Sequence, residues 1–384
     1  MNPPPTRFTS FFSSVIACLL ACFFGWSCSS DKPQIILKKA APQAKADFMV
    51  RKEVRTIAFG SCANPELDMP LLSVAVRRKP DLFIWLGDNV YADTKDVSVL
   101  EEKHRALGVH PDFLNLKSNT RMLATWDDHD FGWNDAGRHY SLKKESKEVF
   151  LAFWEEPFDS PRRQHPGIYT SYLFDGGRQD VHVILLDMRS FRDDLMPAQE
   201  VHLQGTNNIA YAADYEAYRN GDSTLLGAAQ WAWLEKQLDV KADVRVIATS
   251  TQFGIEWNGY ESWANFPHEQ EKMAQMIRQS KANQRQMGQR VTPVIFISGD
   301  VHYGEISAWT SRSETQSTDT LFDITSSGIT SKWDFATPNA HRLDGPLMDN
   351  NIGILEIGRP GKAQVVAQLW DVEGKMRISR DIVK

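Results

Sequence analysis

From Arg55 onward the chain repeats one polarity pattern. Apolar runs of strand length recur, RTIAFG, DLFIWLG, RMLATW, VHVILLD, VRVIATS, VIFISG and LFDITSS, rich in the β-branched and aromatic residues that strands favour. Between several of them lie stretches whose apolar residues return at helical spacing. Glu66–Lys79 has Pro70 near its start and carries Leu71, Leu72, Val74 and Ala75, and Ser141–Glu156 carries Phe150 and Phe153. Leu226–Leu238 places Trp231, Leu234 and Leu238 on one face, and His268–Gln284 carries Met273, Met276 and Ile277. Strands alternating with helices predict an α/β fold. Arg192–Asp222 follows neither period and reads as a long loop of the kind that borders an active site.

Five of the apolar runs stop abruptly in reactive clusters. AFG runs into Ser61-Cys62, WLG into Asp88-Asn89-Val90-Tyr91, ATW into Asp127 to Asp130, ILL into Asp187-Met188-Arg189, and FIS into Gly299-Asp300-Val301-His302. Ligands of α/β sheets bind beyond the carboxyl ends of the strands, so these clusters are expected to converge on one cleft. In TWDDHDFGWNDAG, Asp127, Asp128, His129 and Asp130 stand in a row with Asn134 and Asp135 just behind. Carboxylates so crowded raise one another's pKa unless a cation or dense hydrogen bonding offsets the repulsion. A metal site is one answer and a polar surface turn is the other.

Each residue also has a plainer reading. Cys62 could be a packed thiol, Asp88 and Asp300 turn formers, Tyr91 a core ring and His302 a satisfied core histidine. Asp187 and Arg189 could form a structural ion pair; alternatively Arg189 or Arg192 could clamp a substrate phosphate in bidentate fashion. Trp257, Tyr260, Trp263 and Phe266 either wall the cleft or pack in the core.

The N-terminus narrows the setting. Met1 to Arg7 carries one positive charge, and Phe8 to Phe24 is almost wholly apolar or small. At about 17 residues this run is at the lower limit for crossing a bilayer and reads as an export signal. GWSCSSDK follows, and Ser-Cys-Ser-Ser resembles a bacterial lipoprotein processing site with Cys28 as the lipidated residue, although Gly25 stands where an aliphatic residue is usual. Cys22, after LLA, is a second candidate, and a plain signal peptide or an uncleaved anchor is the alternative. The expected organisation is a leader over 1–28, a flexible Lys/Ala/Pro-rich tether over 29–50 and one domain over 51–384, at the cell surface or in the periplasm. Of the four cysteines, Cys18 and Cys22 then belong to the leader and Cys28 to the lipid. Cys62 is left without a disulfide partner.

A hydrophobic share of 42% with 12 Trp supports a sizeable core. The net charge of −6 has no long runs, so no broad basic surface for nucleic acid is expected. A monomer is favoured.

Aspartates, histidines, a tyrosine and one thiol make a mixed oxygen, nitrogen and sulfur donor set. Carboxylates suit Mg, Ca, Mn or ferric iron, whereas a thiolate narrows the choice toward Fe or Zn. A phenolate at Tyr91 favours a trivalent ion, because a strong Lewis acid is needed to deprotonate it. Two metals about 3.5–4 Å apart, bridged by a carboxylate, could clamp a phosphoryl group and activate a water. That chemistry is phosphoester hydrolysis.

FGSC, GDNVY, WDDHDFGWNDAG, LDMRSFRD, LGAAQWAWLEKQL and SGDVH, in this order, resemble the PhoD-like alkaline phosphatase/phosphodiesterase family of the calcineurin-like metallophosphoesterases. The resemblance spans about Arg55 to Ile357 and leaves no room for the separate N-terminal β-domain of longer members. It implies a four-layer αββα sandwich of the metallophosphoesterase type, a site holding Fe(3+) with one or more Ca(2+), with Zn, Mn or Co as other possibilities, and metal-hydroxide attack on a phosphoester substrate.

Carried over, Cys62, Tyr91 and His302 look like iron ligands and Asp88 a bridge to a second metal held by Asp128 and Asp300. His129 matches the superfamily histidine that assists the leaving group, and Arg189 is a candidate phosphate contact. Asn89, Asp127, Asp130, Asn134, Asp135, Asp187, Arg192 and Gln252 are expected to support them. Cys62 replaces the usual Asp-x-His motif, and Gln252 stands where a histidine ligand is usual. A preference for diesters, as in a phospholipase or nuclease, is one alternative. A calcium-stabilised surface lipoprotein without catalysis is another.

Overall fold

The computed structural model describes residues 44–198, 214–310, 320–358 and 364–383. The leader, Cys22, Cys28 and most of the expected tether lie outside them. The first strands are Phe48–Arg51 (β1), Thr56–Gly60 (β2), Leu82–Leu86 (β3), Arg121–Thr125 (β4), Thr170–Asp175 (β5) and Asp180–Leu185 (β6). Met196–Pro197 (β7), Tyr215–Glu216 (β8), Val244–Ala248 (β9), Val294–Ser298 (β10), Gly304–Trp309 (β11) and Leu321–Ser326 (β12) follow. Arg342–Leu347 (β13), Asn351–Ile357 (β14), Val365–Asp371 (β15) and Met376–Val383 (β16) close the chain. The helices are Pro70–Arg77 (α1), Val97–Val109 (α2), Pro111–Asn119 (α3), Asp128–Phe131 (α4), Lys143–Phe153 (α5), Pro161–Gln164 (α6), Gly227–Leu238 (α7) and Pro267–Gln286 (α8). None of these helices is long and apolar enough to cross a membrane.

Two large sheets result, one in the order β1-β5-β6-β9-β10-β12-β11-β13 and one in the order β16-β15-β14-β2-β3-β4. The continuous apolar runs are explained by burial on both faces. Along β3, Leu82, Ile84 and Leu86 enter the core between the sheets, while Phe83 and Trp85 enter a second core shared with Leu71, Leu72, Phe113 and Phe150 of the helices. Along β10, Ile295 and Ile297 share the inter-sheet core, while Val294 and Phe296 pack with Trp231, Leu234 and Met273 of α7 and α8. Side chains of alternating direction thus build helix, sheet, sheet and helix layers, the αββα sandwich that the family resemblance implies.

The fold begins slightly ahead of residue 51: β1 pairs in parallel with β5, and Phe48 stacks on Tyr172 at 4.8 Å. The end of the 29–50 segment is therefore sheet, because Phe48 and Val50 have an apolar edge to cover.

Parallel pairing aligns the strand ends that matter. β2, β3 and β4 run parallel in one sheet, and β6, β9, β10 and β12 in the other. Just beyond those ends a parallel bridge joins Ser61 to Ser327, so the sheets touch where the polar clusters emerge. The approach demands glycine at Gly299, where a Cβ would sit 2.4 Å from Ser61 Oγ. It does so again at Gly87 (φ +104), where a Cβ would meet Asp127 Cβ at 2.5 Å.

Candidate metal centre

The turns after β2, β3, β4 and β10 bring Cys62, Asp88, Asp128, His129 and His302 together. Cys62, Asp88 and His302 offer ligand atoms within 4.8 Å of one another, as do Asp88, Asp128 and His129, and as do Asp128, Asp135 and Glu261. Asp88 is common to the first two groups, which is the position a bridging carboxylate would hold. The backbone is unusual in the same places. Of the eight non-glycine residues with positive φ among the described residues, Cys62, Asp88, Asp93, Asp135, Asp300 and His302 belong to this centre. Side chains avoid that region, and strain kept in such numbers gathers at functional sites.

The Cys62 thiol is buried, with Ser327 Oγ at 3.2 Å, Ser61 Oγ at 3.3 Å, Asp88 Oδ2 at 3.5 Å and the Asp300 carbonyl at 3.6 Å. Burial pushes its pKa up to about 12, with the Asp300 and Asp127 carboxylates adding to the rise. Burial, then Cys62 and Asp128, hold the Asp88 carboxyl well above its ordinary range. Tyr91 reaches His302 Nε2 at 3.4 Å and Ser331 Oγ at 3.3 Å. Desolvation and the neighbouring His129 lower the His302 pKa to about 4, leaving the imidazole neutral and able to ligate. The Asp300 carboxylate lies outside the three donor groups, yet loss of solvation and the fields of Asp127, Glu261, Asp128 and Asp88 raise it well above the usual range.

These donors fit cations. Asp88 Oδ1, Asp127 Oδ2 and Asp128 Oδ1 are buried without a hydrogen-bond partner, a costly state for carboxylate oxygens that a metal ion relieves. The mixture of thiol, phenol, imidazole and carboxylate belongs to transition-metal and hard-cation sites together.

Asp128 is held by the backbone N–H of Asp135, donated to Oδ2 at 2.6 Å. Burial pushes its pKa up, but Arg189 and His129 outweigh that and keep it below the ordinary value. His129 is oriented by a residue that sequence reading missed: Asp93 Oδ1 lies 2.7 Å from Nδ1 and also accepts the Asn134 N–H at 3.0 Å. Burial lowers the His129 pKa, but the Asp93 hydrogen bond and the nearby carboxylates bring it to about 9.

The expected supporting residues divide by contact. Asp130 accepts the backbone N–H groups of Asp127 and Asn89, and Asn89 Nδ2 donates to the Thr125 carbonyl at 2.9 Å, which fixes the turn. Asn134 Nδ2 donates to Asp135 Oδ2 at 2.7 Å. Asp135, raised to about 8 by burial and Glu261, also accepts the Tyr215 hydroxyl. Burial lifts Asp127 to about 7 against the pull of Arg189, and Asp127 accepts the Ser250 hydroxyl at 2.7 Å. Gln252 donates to Glu305 and Thr325 Oγ1, each at 3.0 Å, and its Oε1 is a further buried oxygen without a partner.

Three expectations are corrected. Asp187 and Arg189 form no side-chain ion pair: Asp187 instead accepts Trp126 Nε1 and the backbone N–H groups of Ile168, Arg189 and Ser190. The Arg189 guanidinium is fully buried among Asp127, Asp128 and both oxygens of Glu261, so it presents nothing to a phosphate. Arg192, equally buried, binds Glu261 at 3.2 Å and the carbonyls of Asp193 and Asp135. Two guanidinium ions thus already neutralise Glu261 in the third donor group. The aromatic patch also divides: Trp263 and Phe266 are core, and Trp257 donates Nε1 to the Tyr215 carbonyl, while Tyr260 packs near Trp333 and Phe335.

The sequence model described as PhoD-like phosphatase matches residues 57–351. Compared with curated proteins, the chain finds no match. Among solved structures it is similar to PhoD, with a TM-score of 0.61 and 18% identity over 87% of this chain and 72% of that one. It is also similar to GAP50, the anchor in the inner membrane complex of Plasmodium, with a TM-score of 0.50 and 12% identity over 86% and 90% of the two chains. A dimetal phosphatase from Danio rerio aligns at a TM-score of 0.44, with 12% identity over 82% and 95%.

Proposed function

The chain belongs to the PhoD-like phosphatase family, and on that premise we propose that it is an exported hydrolase of phosphomonoesters and phosphodiesters, anchored by lipid on Cys28. The observation that carries the catalytic reading is Asp88, shared by two donor groups and left with a buried, unpartnered oxygen. Cys62, Tyr91 and His302 would hold ferric iron, Asp88 would bridge, and Asp128 with Asp300 would hold calcium or another divalent ion. Such cations neutralise phosphoryl oxygens and lower the pKa of a coordinated water.

The remaining work falls to protein groups. His129, with Nδ1 fixed on Asp93, presents its other ring nitrogen as the proton donor to the departing alkoxide. Arg189 and Arg192 act behind Asp127, Asp128 and Asp135 as positioning residues, holding the carboxylates in place. The export and lipid reading rests on the apolar leader Phe8–Phe24 and the Ser-Cys-Ser-Ser that follows.

The test is metal analysis of the full chain purified without chelator, with parallel turnover of a nitrophenyl phosphate and its bis-ester. We expect iron and calcium to copurify, both esters to be cleaved, and Cys62→Ser to lose iron, visible absorption and most turnover while staying folded. A Cys62→Ser protein with unchanged metal content and turnover would remove Cys62 from the ligand set. A metal-loaded wild type inert toward both esters would refute the hydrolase.

A further inference from the structure

The segment after β12 is stitched to the metal centre. Ile329 N donates to the Ser61 carbonyl at 3.0 Å, Thr330 N to the Cys62 carbonyl at 3.1 Å, and Trp333 N to the His302 carbonyl at 3.4 Å. The Tyr91 hydroxyl meets Ser331 Oγ. This lacing sets the Trp333 ring 5.4 Å from the His302 imidazole. Phe335 stacks on Trp333 at 5.3 Å and 13°, and Tyr260 approaches both rings, at 5.7 Å and 6.0 Å. Trp333 and Tyr260 are only half-buried, and Phe335 is 45% exposed. Three aromatic rings therefore stand partly open to water at the rim of a cluster otherwise made of ions and polar groups.

We propose that Tyr260, Trp333 and Phe335 are a stacking platform for the base of a nucleoside phosphate whose phosphoryl group sits at the neighbouring donors; this rests on the hydrolase reading above. Aromatic faces that add little to the core, held by backbone bonds to candidate metal ligands, are placed to meet the organic part of the ester rather than its phosphate. Trp333 and Phe335 already lie nearly parallel, and a flat heterocycle extends such a stack. A glycerol or other polyol ester has no π face to offer it. Every base does, so the platform selects for a nucleoside without selecting which one.

The experiment compares adenosine 5′-monophosphate with glycerol 1-phosphate, both esters of primary alcohols, using the full-length metal-loaded chain. Wild-type kcat/KM should favour the nucleotide by about tenfold or more, the order that base stacking on an aromatic side chain supplies. In Trp333→Ala and in Phe335→Ala that ratio should fall toward one, chiefly through KM, and Trp333→Phe should restore most of it. A wild-type ratio near one, or variants that slow both esters equally and so keep the ratio, overturns the platform. Calorimetric binding of the same two compounds separates the two readings. If neither ester turns over and the nitrophenyl mono- and bis-esters are inert as well, the hydrolase reading fails. The platform then stands if wild type binds the nucleotide more tightly than Trp333→Ala does, and falls if their affinities are equal.

Discussion

Arg189 shows how burial decides a role that residue type leaves open. An arginine two positions past an aspartate at a strand end suits either an ion pair or a phosphate clamp, and side-chain exposure separates the two. Its guanidinium has no exposed surface and is shared by Asp127 and Glu261. Removing one partner of a buried ion pair costs about 3–5 kcal/mol, because the charge left behind is uncompensated. Arg189→Met should therefore lower the stability measured by denaturant unfolding by that order, and turnover should fall because Asp127 and Asp128 lose their anchor. A variant of wild-type stability with only a raised KM would reinstate the clamp. Asp93 teaches the opposite lesson. It stands two residues past Tyr91 in GDNVYAD, where nothing but its type distinguished it, and the 2.7 Å approach to His129 Nδ1 and the bond accepted from Asn134 N give it a task.

The strands legible in the sequence were buried on two faces, although β14 and β15, equally buried, were not singled out. All seven apolar runs became strands, and the four amphipathic stretches became α1, α5, α7 and α8. The less buried elements left weaker traces: α2 buries only Leu100, His104 and Leu107, and β13 and β16 are largely exposed, so neither period stands out. Ligand clusters could be placed because they follow such strands directly. Their counter-charge Glu261 could not, because it arrives from a loop 72 residues beyond Arg189.

α2 also carries a consequence of its own. His104 is buried, its Nδ1 at 2.9 Å from the Leu100 carbonyl and its ring edge-on to Phe153 of α5. Burial lowers its pKa from 6.5 to about 4, against a small opposing effect of the Leu100 bond. The folded value lies below the unfolded one, so protons favour the unfolded chain. The neutral ring's contribution is complete above about pH 6.5 and is lost as pH falls toward 4, up to about 3 kcal/mol in all. His104→Leu should erase that share, so the stability difference between wild type and variant should change with pH between 7 and 4. A constant difference would show that His104 does not titrate in this way.

At the scale of the whole molecule, the proposed centre lies across the seam between the sheets. Cys62, Asp88 and Asp128 follow strands of one sheet, Asp300 and His302 follow β10 of the other, and at this seam the Ser61–Ser327 bridge and the backbone bonds from Ile329 and Thr330 to the Ser61 and Cys62 carbonyls link the two sides. Away from the seam the sheets are joined mainly by apolar packing, which is strong but not directional, with a few polar links such as the Arg380–Asp344 ion pair. Cations coordinated from both sides would act as a staple that exists only in the native state, and such binding stabilises by mass action, about 4 kcal/mol when the ion is present at 1,000 times its Kd. For a domain of this size that amounts to a fall in Tm of about 6 °C on chelation. Returning the ions should reverse the fall, and Cys62→Ser, already short of one cation, should respond less to the chelator than wild type. Thermal unfolding of wild type and variant, with and without chelator and then with each metal restored, measures all of this. A chelator that abolishes turnover but leaves Tm unmoved would mean that the ions bind one sheet alone, and the two halves of the site would then be joined by packing rather than by metal.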